Sequence, residues 1–105
     1  MEIRRSTYFV LAALLDRPLH GYAIIRRAAE LSDGEVRLST GTLFGALDRL
    51  VESGFVKAGE EEKVEGRVRR SYSLTDDGHA VLAAEAGRLR RAARVVETRA
   101  ARTAS

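Results

Sequence analysis

The chain has 105 residues, of which 45% are hydrophobic, and its 18 Lys and Arg against 15 Asp and Glu leave a formal net charge of +3. This length predicts one small domain and excludes a multidomain enzyme. Cysteine is absent, which excludes a disulfide framework and a thiolate metal site, and no apolar run is long enough for a membrane span, so a soluble cytoplasmic protein is expected.

The excess of positive charge is confined to the end of the chain. Residues 1–78 hold 12 bases and 13 acids, whereas residues 79–105 hold six arginines and two glutamates. A basic segment suits a polyanionic partner, but this excess lies on the last segment of the chain rather than on an obvious reading surface. Net charge alone therefore leaves the partner open.

Helical periodicity predicts two helices in the first third of the chain. The first runs from Arg5 to Leu15, and from Tyr8 onward it is apolar on every side. A domain this small can hardly cover such a helix alone, so the helix is predicted to lie between its own domain and a partner chain, with Tyr8, Leu11 and Leu15 at the dimer contact. The second helix spans Tyr22–Leu31, where apolar residues recur on one face.

A third helix and a hairpin are predicted next. Ser39 and Thr40 supply N-cap chemistry for the helix, which ends before Gly54. Beyond it, Phe55–Ala58 and Arg69–Leu74 have strand-like patterns and are predicted to pair across a charged tip, Gly59–Gly66. The basic half of that region is expected to face DNA phosphates, although a plain solvated loop is the alternative.

The last predicted element is a long helix that begins after Thr75 and continues to about Ala101, with a frayed tail at 102–105. Its apolar residues recur at the 3.5-residue spacing of a coiled coil, which predicts a dimerisation seam. The residues of this seam are Leu82, Ala86, Leu89, Ala93, Val96 and Ala100. The alternative is that the helix packs on the first helix of its own domain.

The order of these elements is helix, helix, helix, two-stranded hairpin and helix. It predicts a mainly α fold with a small β-hairpin, namely a winged helix-turn-helix with a C-terminal extension. The predicted division is a DNA-binding domain over 1–78 and a dimerisation helix with its tail over 79–105.

The exposed side of the third helix is the predicted DNA-reading surface. Recognition helices meet base edges with their N-terminal residues, while hydroxyls and the helix N-terminus hold phosphates. The candidate residues on this helix are Ser39, Thr40, Gly41, Thr42, Gly45 and Arg49, and those on the hairpin are Arg67, Arg69 and Arg70. Two alternatives stay open: Ser39 or Thr40 could serve only as a cap, and Arg49 could simply be solvated.

Four short motifs in this order resemble the PadR family of transcriptional regulators over about residues 5–82. They are His20-Gly21-Tyr22, the run 39–44 (STGTLF), the run 47–54 (LDRLVESG), and the run 69–75 (RRSYSLT) before Gly78. The resemblance implies a homodimeric DNA-binding regulator, usually a repressor, in which the C-terminal helix supplies much of the dimer contact. It also implies that a ligand, where one exists, loosens DNA binding.

The chain departs from the pattern of this family at two positions. Thr40 stands where a proline is common, and Phe44 stands where a tyrosine is common. The second departure removes a hydroxyl that could bond a phosphate. Phe44 is therefore predicted to pack, and the phosphate contacts fall to Thr42 and the arginines.

Other kinds of chemistry find little support in the sequence. Neither of the two histidines has a spaced partner for a metal site, and no catalytic signature is present, so neither an enzyme nor a cofactor is expected. The C-terminal arginines lack an aromatic anchor, so no membrane partner is expected. An apolar effector pocket at the dimer interface, lined by Tyr8, Leu11, Leu15, Leu89 and Val96, is a further hypothesis. The alternative function is a winged helix that binds a protein rather than DNA.

Overall fold

The structure is a computed structural model that describes residues 3–104. It contains four helices and a small antiparallel sheet within those residues. In chain order the elements are α1 (Arg5–Ala13), β1 (Leu19–His20), α2 (Gly21–Leu31), α3 (Thr40–Glu52), β2 (Val56–Val64), β3 (Arg67–Leu74) and α4 (Asp76–Ala104). The mainly α fold with a β-hairpin is therefore confirmed.

The first difference from the sequence prediction is a third strand. β1 has only two residues, and it pairs with β3 through Leu19 opposite Tyr72 and His20 opposite Ser71. The sheet order is β1, β3, β2, with β3 in the centre. A two-residue strand has no periodicity of its own, so this pairing could not be inferred from the sequence.

The hairpin is the second difference, because its strands are much longer than predicted. β2 and β3 stay paired as far as Val64 opposite Arg67, so residues 59–64 form strand rather than loop. Glu65 and Gly66 make the turn, and both have positive φ angles (53° and 78°), as a tight two-residue hairpin turn requires. The charged residues are tolerated in β2 because it is an edge strand with solvent on its outer side.

The hydrophobic core joins α1, α2, α3 and the hairpin to the start of α4. Leu11, Ile24, Leu43 and Leu47 are fully buried at its centre. Burying each such side chain stabilises the fold by about 1.5–3 kcal/mol. Most of the apolar surface of α1 is thus covered within one chain, and α1 itself ends at Ala13 rather than Leu15.

The helix α4 joins the domain to a long projection. Its start is held by Thr75, whose hydroxyl accepts a hydrogen bond from the Gly78 amide (3.0 Å) and donates one to the Gly54 carbonyl (2.6 Å). From Arg88 to Thr103 every residue is exposed, and the helix is regular through Ala104, so residues 102–104 are helical rather than frayed. The predicted boundary between the DNA-binding domain and the dimerisation helix, at 78/79, thus lies inside α4.

This projection makes the molecule elongated. The Cα radius of gyration is 16.2 Å and the principal extents are 62 × 26 × 22 Å. A compact domain of about this size has a radius of gyration of about 13 Å. The last half of α4 therefore leaves the domain without support from the rest of the chain.

Candidate nucleic-acid interface

The N-terminal end of α3 presents a polar, exposed surface. Ser39 is the N-cap: its hydroxyl oxygen accepts a hydrogen bond from the Thr42 amide (3.2 Å), and its hydroxyl donates to Oγ1 of Thr42 (2.9 Å). The Thr42 hydroxyl thus acts as acceptor within the cap and keeps its own hydrogen to donate elsewhere. Ser39, Thr40, Gly41 and Thr42 are all exposed. The structure brings these predicted residues together on one helix end, where anions are favoured.

The two glycines on the same side of α3 have different surroundings. A methyl group on Gly41 would meet no atom within 4 Å, whereas one on Gly45 would lie 3.6 Å from Nη1 of Arg49. The Arg49 side chain therefore extends back along the helix toward its N-terminus. Arg49 lies on the exposed surface that carries Thr42 and Gly41, although its α-carbon is about two turns further on.

Arg67, Arg69 and Arg70 all border one pocket beside the starts of α2 and α3, but their side chains do not leave the hairpin on one face. Arg70 and Arg69 are adjacent in β3, so their side chains leave opposite faces of the strand, and Arg67 is exposed beside the turn. Arg70 is already paired, because its Nη2 atom lies 3.0 Å from Oε1 of Glu61 on β2. The hairpin therefore carries its positive charge next to carboxylates.

A shallow pocket of about 270 Å³ separates the hairpin from the starts of α2 and α3. Phe44 and Tyr72 form its floor, with ring centroids 6.5 Å apart. The rim has two exposed apolar side chains, Tyr22 (56% exposed) and Val68 (61% exposed). Burial raises the pKa of the Tyr72 phenol above its ordinary value, and Arg70 only partly opposes the rise, so the hydroxyl stays protonated.

Part of this surface was not predicted from the sequence. Tyr22, Val68 and Glu61 were not predicted as site residues, and Phe44, predicted to pack, packs on Gly21 yet stays 39% exposed. Tyr22 lies two residues after His20, and His20 pairs with Ser71 of β3. Only this strand pairing therefore brings Tyr22 close to the hairpin. The signal that could have indicated Glu61 was its position opposite an arginine, but that depends on a register that was not predicted.

The residues predicted for a dimer interface fall into three groups by their exposure in the single chain. Leu11 (0% exposed) and Leu82 (5% exposed) are core residues of the single chain rather than surface residues. Tyr8 and Ala86 are half-buried. The exposed members are Leu15, Leu89, Ala93, Val96 and Ala100.

The predicted apolar pocket is only partly assembled. A groove of about 440 Å³ between α1 and α4 includes Tyr8 and Leu89, whereas Leu11, Leu15 and Val96 do not line it. The groove also holds charge, because Glu85 at its wall is almost fully buried and accepts two hydrogen bonds from Arg88 (2.8 and 2.6 Å). Those hydrogen bonds hold the pKa of Glu85 below its ordinary value.

Residues 3–104 show neither a metal-binding cluster nor a membrane-spanning helix. That part of the chain contains no group of three or more His, Asp or Glu side chains placed to hold a metal ion. It also contains no helix with the combination of length and apolarity that crossing a bilayer requires.

The three-helix core, the antiparallel sheet and the exposed α3 end define a winged helix-turn-helix protein. The family described as the PadR-like family of transcriptional regulators matches residues 10–84. The chain belongs to this family.

The chain is also similar in sequence to two individual proteins. The chain is 36% identical over 87 residues to the transcriptional regulator Rv3488 of Mycobacterium tuberculosis, covering 83% of this chain and 78% of that protein. It is 43% identical over 86 residues to an uncharacterised 37.1 kDa protein in transposon TN4556 of Streptomyces fradiae. That match covers 82% of this chain but spans only 23% of the longer protein.

Solved structures show the same fold. A PadR family transcription regulator from Clostridium difficile R20291 superposes with a TM-score of 0.75 at 22% identity, covering 90% of this chain and 97% of that one. PadR of Bacillus subtilis, solved in complex with operator DNA, gives a TM-score of 0.65 at 24% identity, covering 75% of this chain and 46% of that one.

Proposed function

We propose that this chain is a sequence-specific DNA-binding repressor that acts in the cytoplasm as a homodimer on a palindromic operator. In this proposal residues 1–78 bind DNA and residues 79–105 dimerise. The N-terminal end of α3 enters the major groove, with Ser39, Thr40 and Thr42 at phosphates and base edges. Gly41 and Gly45 allow close approach, and Arg49, Arg67, Arg69 and Arg70 supply the cationic contacts.

The observation that carries this proposal is the environment of Gly41. Of the nine glycines, all of which lie in residues 3–104, Gly41 is the one that has neither a positive φ nor a neighbouring atom in the space of a side chain. Glycine within a helix is unfavourable by about 0.5–1 kcal/mol relative to alanine. The fold gives no compensation for that cost at Gly41, whereas close contact with an outside surface would.

Two further facts support a DNA surface. The hydroxyls of Ser39 and Thr42 stand at a helix N-terminus, which is a favourable place for a phosphate. A structural relative, PadR of Bacillus subtilis, was solved in complex with operator DNA.

The homodimer proposal rests on the second half of α4. Leu89 (42% exposed) and Val96 (68% exposed) project from a helix that the rest of its chain does not cover. Helices in proteins owe most of their stability to packing, so pairing with a second copy along the 3.5-residue seam would stabilise this exposed segment. A symmetric dimer also presents two α3 helices, which matches a palindromic site.

Effector release is the remaining part of the proposal. The groove between α1 and α4 borders the exposed seam, so a dimer would enclose it. Its aromatic side chains, Tyr8 and Phe9, suit an apolar or aromatic ligand, and the buried Glu85 adds a charge for orientation. A compound that binds there would raise the melting temperature and lower DNA affinity.

The test is selection of bound fragments from random duplex DNA, followed by titration of the selected duplex at several salt concentrations. We expect a palindrome with half-sites one or more helical turns apart, and an affinity whose slope against log salt is about −0.9 per phosphate contacted. Thr42→Ala should weaken binding, while Thr98→Ala on the exposed part of α4 is the matched control. Recovery of no common sequence, with weak binding throughout, would contradict the proposal and favour a protein partner.

A further inference from the structure

The hairpin holds its arginines opposite glutamates. In the register of β2 and β3, Glu61 pairs with Arg70 and Glu62 pairs with Arg69. An irregularity between Ala58 and Glu61 sets this register, because two residues of β2 lie opposite the single residue Ser71. Each of the two inner arginines of the hairpin thus has a carboxylate as its direct neighbour across the strands.

Only one of these pairs is a formed ion pair that also belongs to the pocket beside α3. Nη2 of Arg70 lies 3.0 Å from Oε1 of Glu61, and both residues line that pocket. The side chains are 42% and 62% exposed, so the pair contributes little to folding. Because the pair lies at the candidate interface, its main effect is expected on DNA binding rather than on stability.

The two residues would affect DNA binding in opposite directions. A phosphate that binds Arg70 must displace Glu61 or share the guanidinium with it, and the freed carboxylate then stands close to the negative backbone. Both effects lower the affinity that Arg70 could otherwise supply. At the same time, the ion pair holds the flexible Arg70 side chain in one direction before DNA arrives.

We propose that Glu61 is a positioning residue that lowers DNA affinity by competing with the phosphate backbone for Arg70. This inference rests on the proposed DNA-binding function and adds a specific residue to it. The Glu61 carboxylate keeps the electrostatic affinity for DNA below the maximum that Arg70 could supply. A lower affinity helps a regulator that must release its operator.

The test compares Glu61→Gln with the wild-type chain, using duplex DNA of mixed sequence and the duplex selected from it. We expect Glu61→Gln to bind about two- to fivefold more tightly at moderate salt. The slope of log affinity against log salt should become steeper by up to about 0.9, because Arg70 now neutralises one phosphate fully. The melting temperature should match that of the wild type, since the pair is exposed.

Two variants show whether the effect passes through Arg70. Glu62→Gln removes the same charge from the neighbouring residue, and it should raise affinity less than Glu61→Gln does. In an Arg70→Ala background, Glu61→Gln should give no more gain than Glu62→Gln gives in the wild type. An equal gain from Glu62→Gln, a gain from Glu61→Gln that is as large without Arg70 as with it, or no gain at all would overturn the inference. Failure of the wild type to bind either duplex would instead overturn the proposed function.

Discussion

The ring of Phe44 occupies the space that a side chain at Gly21 would need. A methyl group on Gly21 would lie 2.7 Å from Cζ of Phe44 and 3.3 Å from Cε2. Gly21 is the first residue of α2, and Phe44 is in the second turn of α3. The contact therefore determines how closely the start of α2 approaches the helix that we propose reads DNA.

Gly21→Ala tests that contact. We expect it to lower the free energy of unfolding by about 1 kcal/mol, because the ring of Phe44 must move outward to make room. Urea denaturation measures the effect. The double variant with Phe44→Leu should recover most of the loss, since the smaller side chain leaves the space free. Equal stability of Gly21→Ala and the wild type would show that the ring moves without cost.

Gly41→Ala separates folding from DNA binding. The added methyl group meets nothing in the protein and improves helix propensity, so the free energy of unfolding should rise by about 0.5 kcal/mol. DNA affinity should fall by about tenfold, which corresponds to about 1.4 kcal/mol, if a DNA surface lies against Gly41. Thermal unfolding and a binding titration on the same preparation give both values. A more stable variant that binds DNA as the wild type does would remove the main support for the proposed docking.

Val96→Glu tests the dimer. The substitution places a charge at the middle of the exposed seam, where two copies would bury it, and so should convert a dimer into a monomer in sedimentation equilibrium. The wild type should also melt at a higher temperature as its concentration rises. Thr98→Glu is the control, because two residues further on a helix points to the opposite side. A wild-type chain that sediments as a monomer would contradict the dimer directly.

Glu85→Gln tests the ion pair between the buried Glu85 side chain and the partly exposed Arg88 side chain. Hydrogen bonding from Arg88 holds the pKa of Glu85 below its ordinary value, so the folded state binds this proton more weakly than the unfolded state does. The resulting stabilisation is present above the ordinary glutamate pKa of about 4.3 and is lost as the pH falls through the lowered folded value. Glu85→Gln should therefore be less stable than the wild type at neutral pH, and the difference should narrow in acid.

The measurement is urea unfolding of both proteins at neutral pH and at about pH 3. Glu97→Gln is the matched control, because Glu97 lies on the exposed part of α4 and should change stability little at either pH. A difference between Glu85→Gln and the wild type that stays constant with pH would show that packing, and not the charge of Glu85, stabilises this region.

Local chemistry explains which parts of the fold could be predicted. Ser39 as the N-cap of α3 and Thr75 as the cap of α4 depend on residues a few positions away, and both are observed in the structure. α2 was predicted to within one residue at its start for the same reason. The prediction that residues 59–64 form a loop was wrong. These residues are mostly charged and have low strand propensity, so their strand conformation depends on pairing with β3.

The sequence by itself determined the order of helices and hairpin, the caps, and the 3.5-residue apolar repeat of α4, because each is a short-range property of side chains and backbone. Only the tertiary structure decided that Leu11 and Leu82 belong to the core, that β1 joins the sheet, and that Glu61 faces Arg70. These facts depend on distances between residues far apart in the chain. Such distances follow from how the whole core packs, which no local pattern encodes.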